Sequence, residues 1–397
     1  MSDYKEIFLN HIAQTSPFPL SLEIINAKGS RLIDRNGKEY LDFISGISVS
    51  SLGHRNPSII KAIKEQLDHH LFTMVYGEFV DSAQVNLTKK LIEILPDVLD
   101  NVFYTSTGTE AIEGALKLAK RFSGRHKIIS FKGAYHGSTH GSLSVSGNET
   151  KKYAFRPLLP DIHFLKFNNT EDLDSISHEH ACVIVETIQA DAGVRFPAPE
   201  FMKALRKKCT EKGVLLILDE IQVGLGRTGK LFAFEHYDIV PDILVLGKSF
   251  GAGLPLAAFI SSKEIMSSLS ADPMLGHITT FGGNPLSCAA SLAFLKELNS
   301  ELIENVENKG QILKSYLNHP SIVEIRCKGL FFAIEFENKE IVNDIVKECI
   351  RNGVICYWFL SCPDAFRIAP PLNINENDLR HGAKTIAEAI EKICANN

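Results

Sequence analysis

Apolar residues follow two rhythms along this chain. Between residues 102 and 261 short runs rich in Val, Ile and Leu recur at 102–105, 127–131, 162–165, 182–186, 214–219, 242–246 and 257–261. Runs this short and this uniformly apolar fit strands covered on both faces. Helical periodicity fills the gaps at 109–121 and 199–212, and more weakly at 138–144. Strand–helix alternation of this kind predicts an α/β domain with a mostly parallel, seven-stranded sheet.

The flanks read differently. A short helix at 4–14 meets Pro17 and Pro19, and 21–40 predicts two or three short strands turning at Arg35-Asn36-Gly37, since Asn-Gly is a strong hairpin signal. Helices follow near 58–69, after Asn56-Pro57, and over 81–95, stopping at Pro96. From Leu286 a long helical pattern runs to His319. Strands at 321–327, 330–336, 354–358 and 366–368 and helices at 339–352 and 376–394 then predict a smaller α+β domain. The expected division is an N-terminal segment, 1–52, joining the small domain; a large domain, 53–285; and the small domain proper, 286–397.

Composition narrows the function classes. The 397 residues are 45% hydrophobic and 22% charged, which is ordinary for a globular protein large enough to need no disulfide staple. The net charge of −5, with no basic tract, argues against nucleic acid or an anionic membrane as partner. No apolar stretch approaches the roughly 18 residues of a membrane span. The first residues lack a basic stretch followed by an apolar one, so no signal peptide is expected. The eight cysteines form no CxxC and have no zinc-finger histidine spacing. They read as reduced thiols in a cytoplasmic protein, with no metal site.

Candidate chemistry gathers where apolar runs end. The run 214–219 ends in Asp219-Glu220, and 242–246 is followed by Gly247-Lys248. In open α/β sheets the ligand crevice lies at the carboxyl ends of strands, so an acid and a lysine reach one edge. An acid for a pyridinium nitrogen and a Schiff-base lysine are what pyridoxal 5′-phosphate (PLP) needs from a protein. The same two residues also suit a solvated junction and a surface lysine. Gly247-Lys248-Ser249 imitates the end of a Walker A loop, but the glycine required five residues earlier is Asp242.

Further motifs carry weaker signals. Thr105–Ala111 (TSTGTEA) lies between a strand and a helix, so Gly108 and Thr109 suit a phosphate at the helix start; a plain capping box is the other reading. In Gly133-Ala134-Tyr135-His136-Gly137 an aromatic follows a strand and could lie flat on a planar ring or pack beneath a loop. Glu186 and Asp191 bracket the next loop and could be ordinary surface acids. Thr280 lies in a loop of small residues before a helix, and Arg367 stands in a short strand before two prolines. Arginine suits a carboxylate, although most lone arginines are solvated.

Taken together these residues resemble the class III (ω-amino-acid type) aminotransferases of PLP fold type I, and most of all the acetylornithine aminotransferase branch. The resemblance runs from LDFISGISVSSLGHRNP to FRIAPPLNI, and its most specific pieces are LILDEIQVGLGRTGKLFAFEHYDIVPDILVLGKSFGAGLPLAAF and TTFGGNPLSCAAS. It implies a ping-pong transfer from an amine donor to a 2-oxo acid such as 2-oxoglutarate or pyruvate, in a homodimer with shared sites. Lys248 would form the Schiff base and shuttle the proton, and Asp219 would pair with the ring nitrogen. Ile221 and Tyr135 would cover the two ring faces, with His136 beside them, and Gln222 would reach the phenolic oxygen. Gly108 and Thr109 would hold the phosphate, joined by Thr280 of the other subunit, and Arg367 would clamp a substrate carboxylate.

Three departures bear on the substrate. Ser138 stands where members using glutamate or 4-aminobutyrate usually carry Arg. Asp191 replaces a Glu that commonly gates the carboxylate-binding Arg. Ile47 replaces the Tyr of ornithine aminotransferases. The same cofactor on this fold also supports aminomutase, racemase or decarboxylase chemistry, and a non-catalytic PLP-binding regulator is a further alternative.

Overall fold

The computed structural model describes residues 3–395. The first strands, β1 (Ile24–Lys28), β2 (Arg31–Asp34) and β3 (Glu39–Asp42), form an antiparallel meander. The central strands are β4 (Asn101–Thr105), β5 (Lys127–Phe131), β6 (Ile162–Leu165), β7 (His180–Glu186), β8 (Leu215–Asp219), β9 (Ile243–Leu246) and β10 (Ala257–Ser261). They build one seven-stranded sheet in the order β4-β10-β9-β8-β7-β5-β6. Only β10 runs against its neighbours, so the expected mostly parallel sheet is present.

The inner strands are apolar over most of their length because each face meets helices. Cys182 and Ile184 of β7, Ile217 of β8 and Ile243 and Val245 of β9 pack with Ala111, Ala115 and Leu118 of the helix Gly108–Ser123. The alternate residues Val183, Val185, Leu216, Leu218, Leu244 and Leu246 join Leu87, Phe201, Leu205 and Phe294 on the other face. A period of two thus divides one apolar run between two cores. Burying each such side chain contributes about 1.5–3 kcal/mol.

A second core joins the chain ends. Tyr40, Leu41, Phe43 and Ile44 pack with Phe332, Ile334, Val346, Ile368 and Ile386. Here β11 (Glu324–Lys328), β12 (Phe331–Glu335), β14 (Tyr357–Trp358) and β15 (Ala365–Ile368) form an antiparallel sheet, while β13 (Val354–Ile355) pairs in parallel with β3. The strand expected over 354–358 is therefore two strands in different sheets, divided at buried Cys356. The long helical pattern from Leu286 is also two helices, Pro285–Glu297 and Ser300–Tyr316. Asn299 separates them by capping the second, accepting the Leu302 N–H at 2.9 Å.

The two helices join different cores. Cys288, Ala290, Phe294 and Leu295 of the first lie in the core of the central sheet, whereas Val306 and Leu313 of the second lie in the core shared by the chain ends. The first helix packs on the helices Pro57–Leu67 and Ser82–Ile94.

Candidate active site

Five strand ends meet at one edge of the central sheet. Register pairs Glu186 with Asp219 and Asp219 with Val245, so β7, β8 and β9 finish side by side. Lys248 follows two residues past β9. The loop after β5 brings Tyr135 and His136, and the helix after β4 begins at Gly108. Glu186, Asp219, Lys248, Tyr135, His136 and Gly108, with Gly137, Ser138, Ile188, Ile221, Gln222 and Val223, line one cavity of about 260 Å³.

Lys248 opens onto this cavity, and its Nζ donates to Gln222 Oε1 at 2.8 Å. Burial lowers its pKa to about 8, and the positive charge of Arg367 acts in the same direction. Asp219, 5% exposed, holds His136 Nδ1 at 2.7 Å through one oxygen and accepts the Ile221 N–H at 3.0 Å through the other. Glu220 serves elsewhere. Its carboxylate accepts the N–H groups of Ala233 and Phe234 and the Thr187 hydroxyl.

The helix start shows both features predicted for it. Thr107 and Glu110 form a capping box, while Gly108 and Thr109 face the cavity with the helix's first N–H groups, which have no partner within the helix. A Cβ on Gly108 would lie 2.9 Å from Ile221 Cδ1, so a larger residue here would have to displace the Ile221 side chain. Thr109 Oγ1 is also 2.7 Å from the hydroxyls of Thr139 and Ser142.

Arg367 is buried above this edge, with its guanidinium 4.5 Å from the Phe359 ring centre. It bonds Asp191 at 3.2 Å. Asp191 in turn accepts the Leu360 N–H and the Ser361 hydroxyl, both at 3.0 Å. Arg367 Nε is buried and has no protein partner.

The family model for aminotransferase class III matches residues 12–390. The acetylornithine aminotransferase of Methanopyrus kandleri is 37% identical over 96% of both chains. The [LysW]-aminoadipate semialdehyde/glutamate semialdehyde transaminase of Sulfolobus acidocaldarius is 38% identical, over 94% of this chain and 95% of its own. Ornithine aminotransferase from Toxoplasma gondii superposes with a TM-score of 0.91 at 31% identity, covering 99% of this chain and 95% of that one. The chain belongs to the class-III aminotransferases.

Pyridoxal 5′-phosphate is the cofactor of this family, and the cavity fits it on independent grounds. Gln222 Nε2 is buried without a partner beside the Lys248 amine, so an oxygen acceptor is missing where the cofactor's phenolic oxygen would lie. The donor set adds a buried lysine of lowered pKa, a buried carboxylate and a helix start, the three features an aldehyde, a protonated ring nitrogen and a phosphate require.

Not every residue expected at an aminotransferase site faces this cavity. Ile47 lies outside it, in a turn where Ser45, Gly46, Ile47 and Ser48 all have positive φ. That conformation is costly for a β-branched residue. Asp42 holds the turn by accepting the Ser45 N–H at 2.8 Å, and Ser45 donates to the Ala369 carbonyl at 2.9 Å. Thr280 is exposed and also lies apart from the cavity. Glu186, read from sequence as a possible surface acid, is instead buried in the cavity wall. Its strand end, aligned with that of Asp219, was the available signal.

Proposed function

We propose that this aminotransferase moves an amino group from an amino-acid or ω-amine donor of the acetylornithine–ornithine kind to a 2-oxo acid, by a ping-pong cycle. The convergence of Lys248, Gln222 and Asp219 on one cavity carries this reading. Lys248 holds the cofactor and then moves the substrate proton, because its lowered pKa makes the amine a usable nucleophile and base near neutral pH. Asp219 keeps the ring nitrogen protonated, with His136 fixing the carboxylate from behind. Ile221 and Tyr135, which line the cavity, would hold the cofactor's ring, and Gly108 and Thr109 would hold its phosphate. Once bound, the cofactor supplies the electron sink that lets the substrate's α-proton leave.

Arg367 takes the substrate's carboxylate. Its unpaired Nε and its ion pair with Asp191 support this role. Ser138 is exposed at the cavity wall with its hydroxyl 3.3 Å from that of Tyr135. A neutral hydroxyl pair at this place favours an acceptor with one carboxylate, such as pyruvate, over 2-oxoglutarate, whose second carboxylate would lack a cation.

The working unit in this reading is a homodimer in the cytoplasm. Thr280 of a second copy completes the phosphate site. Phe72, Met274, Leu275, Ile278 and Phe281 are exposed around it, and such a patch marks an interaction surface. Adding single amine donors to the purified PLP form tests the chemistry: a productive donor bleaches the lysine-bound cofactor band at about 400–430 nm and yields its oxo product. A broad donor panel that leaves the band unchanged refutes the reading.

A further inference from the structure

Glu186 ends β7 with its carboxyl between two loops. Oε1 accepts the Tyr135 N–H at 2.9 Å, and Oε2 accepts the Ala190 N–H at 2.9 Å. Each loop carries one working part of the site. Tyr135 lines the cavity, and Ala190 immediately precedes Asp191, the acid bonded to Arg367.

Both loops are fastened at their far sides to other parts of the molecule. Near Tyr135, Gly147 donates to the Ala134 carbonyl at 2.7 Å and His136 N–H donates to Ser146 Oγ at 3.1 Å. The second loop closes on itself between Gln189 and Arg195, and Gly193 accepts from Arg326 Nε of β11 at 2.5 Å. Its Asp191 reaches the turn at Leu360 and Ser361. One loop thus follows the central sheet and the other follows the unit built from the chain ends, and the Glu186 carboxyl bonds the backbone of both.

The charges around Glu186 permit it to stay in place. Asp219 and Asp191 are the acids that act on it, and Lys248 and Arg367 are the cations. Burial, reinforced by Asp219, raises the Glu186 carboxyl to about 8. Two cations and two further carboxylates thus surround it.

We propose that Glu186 is a positioning residue: its two backbone bonds tie the aromatic that covers the cofactor to the acid that orients Arg367, so that ring and substrate carboxylate are held in one fixed relation. This rests on the aminotransferase reading above. Glu186→Gln tests it, because the amide oxygen can serve one N–H while the other then meets an NH2 group.

Three readouts on the PLP-loaded full chain decide the matter: KM and kcat for the 2-oxo acid, visible circular dichroism of the bound cofactor, and the PLP dissociation constant. The expected result for Glu186→Gln is a KM raised about tenfold, the size of one poorly paired buried bond. The cofactor dichroism changes, while kcat and PLP affinity stay within about threefold. Glu186→Asp, too short to reach both loops, gives the same pattern and does not rescue; it also decides the question if Glu186→Gln does not fold. Unchanged KM and dichroism with only a lowered Tm would make Glu186 a purely structural residue and overturn the proposal. A kcat loss of about a thousandfold at constant KM would make it a proton donor and overturn it too. If the wild type itself formed no lysine-bound cofactor band, the underlying reading would fail instead.

Discussion

Asp219→Asn separates charge from geometry at the centre of the site. The two oxygens of Asp219 face His136 Nδ1 and the Ile221 N–H. An asparagine that keeps its oxygen toward Ile221 turns its NH2 toward His136. The imidazole can accept there by moving its proton to Nε2, which is buried without a partner, so the substitution removes the charge and keeps both contacts but leaves one buried N–H unpaired. An opposite charge at about 4–6 Å shifts a pKa by about 1–3 units, each unit being about 1.4 kcal/mol. If Asp219 keeps the ring nitrogen protonated, its loss lowers kcat by about 10- to 1000-fold, with about 100-fold as the central value. Tm should fall by a few degrees, because no cavity opens but the unpaired Nε2–H of His136 costs about 1–3 kcal/mol. The assay is steady-state turnover with the cofactor content of each preparation measured by absorbance. A cofactor-loaded Asp219→Asn enzyme with kcat within about twofold of wild type would refute the role assigned to this carboxylate.

Further outcomes follow from other parts of the structure. The lowered pKa of Lys248 means that its amine is neutral above about pH 8, against 10.5 for an ordinary lysine. Capture of added PLP by cofactor-free protein should therefore reach its half-maximal rate near pH 8. A midpoint above about pH 10, or a normal band in Lys248→Ala, would exclude this lysine. Ser138→Arg should raise the preference for 2-oxoglutarate over pyruvate by about tenfold or more, the worth of one charge-assisted bond; an unchanged kcat/KM ratio for the two acids counts against the single-carboxylate acceptor. Gly114→Ala improves helix propensity by about 1 kcal/mol, but its Cβ would lie 2.2 Å from Phe259 Cε1 in the buried core. Overpacking of about 1–3 kcal/mol prevails there, and calorimetry should show a lower Tm.

Much of the sheet was legible because its signal is local. The seven central strands are four to seven residues long and mostly apolar, and the inner ones suit a sheet covered on both sides. Elements that failed to match their patterns did so where distant parts of the chain decide the outcome. Residues 354–358 read as one strand, yet Ile355 pairs with Asp42 and Tyr357 with Arg367, and no local pattern announces that change of sheet. The apolar pattern from Leu286 does not reveal which core each half joins, because both halves present an apolar face. Asp191 likewise gains its partner Leu360 from 169 residues away.

The candidate site follows from the same division between local and distant information. Asp219 and Lys248 were recognisable because a parallel sheet aligns strand ends, so an acid and a lysine that close adjacent strands must share an edge. That rule, applied once more, reaches Glu186, which register sets opposite Asp219. What it cannot supply is burial. Whether an acid at a strand end meets water or a neighbouring carboxylate depends on the loops that fold over it, here those at 133–137 and 188–195. Asp219 and Glu220 show the consequence at adjacent positions: successive residues point opposite ways at a strand end. One carboxylate therefore faces the cavity while the next ties down Ala233 and Phe234. The chemical difference between two neighbouring acids is thus set by backbone direction before any cofactor arrives.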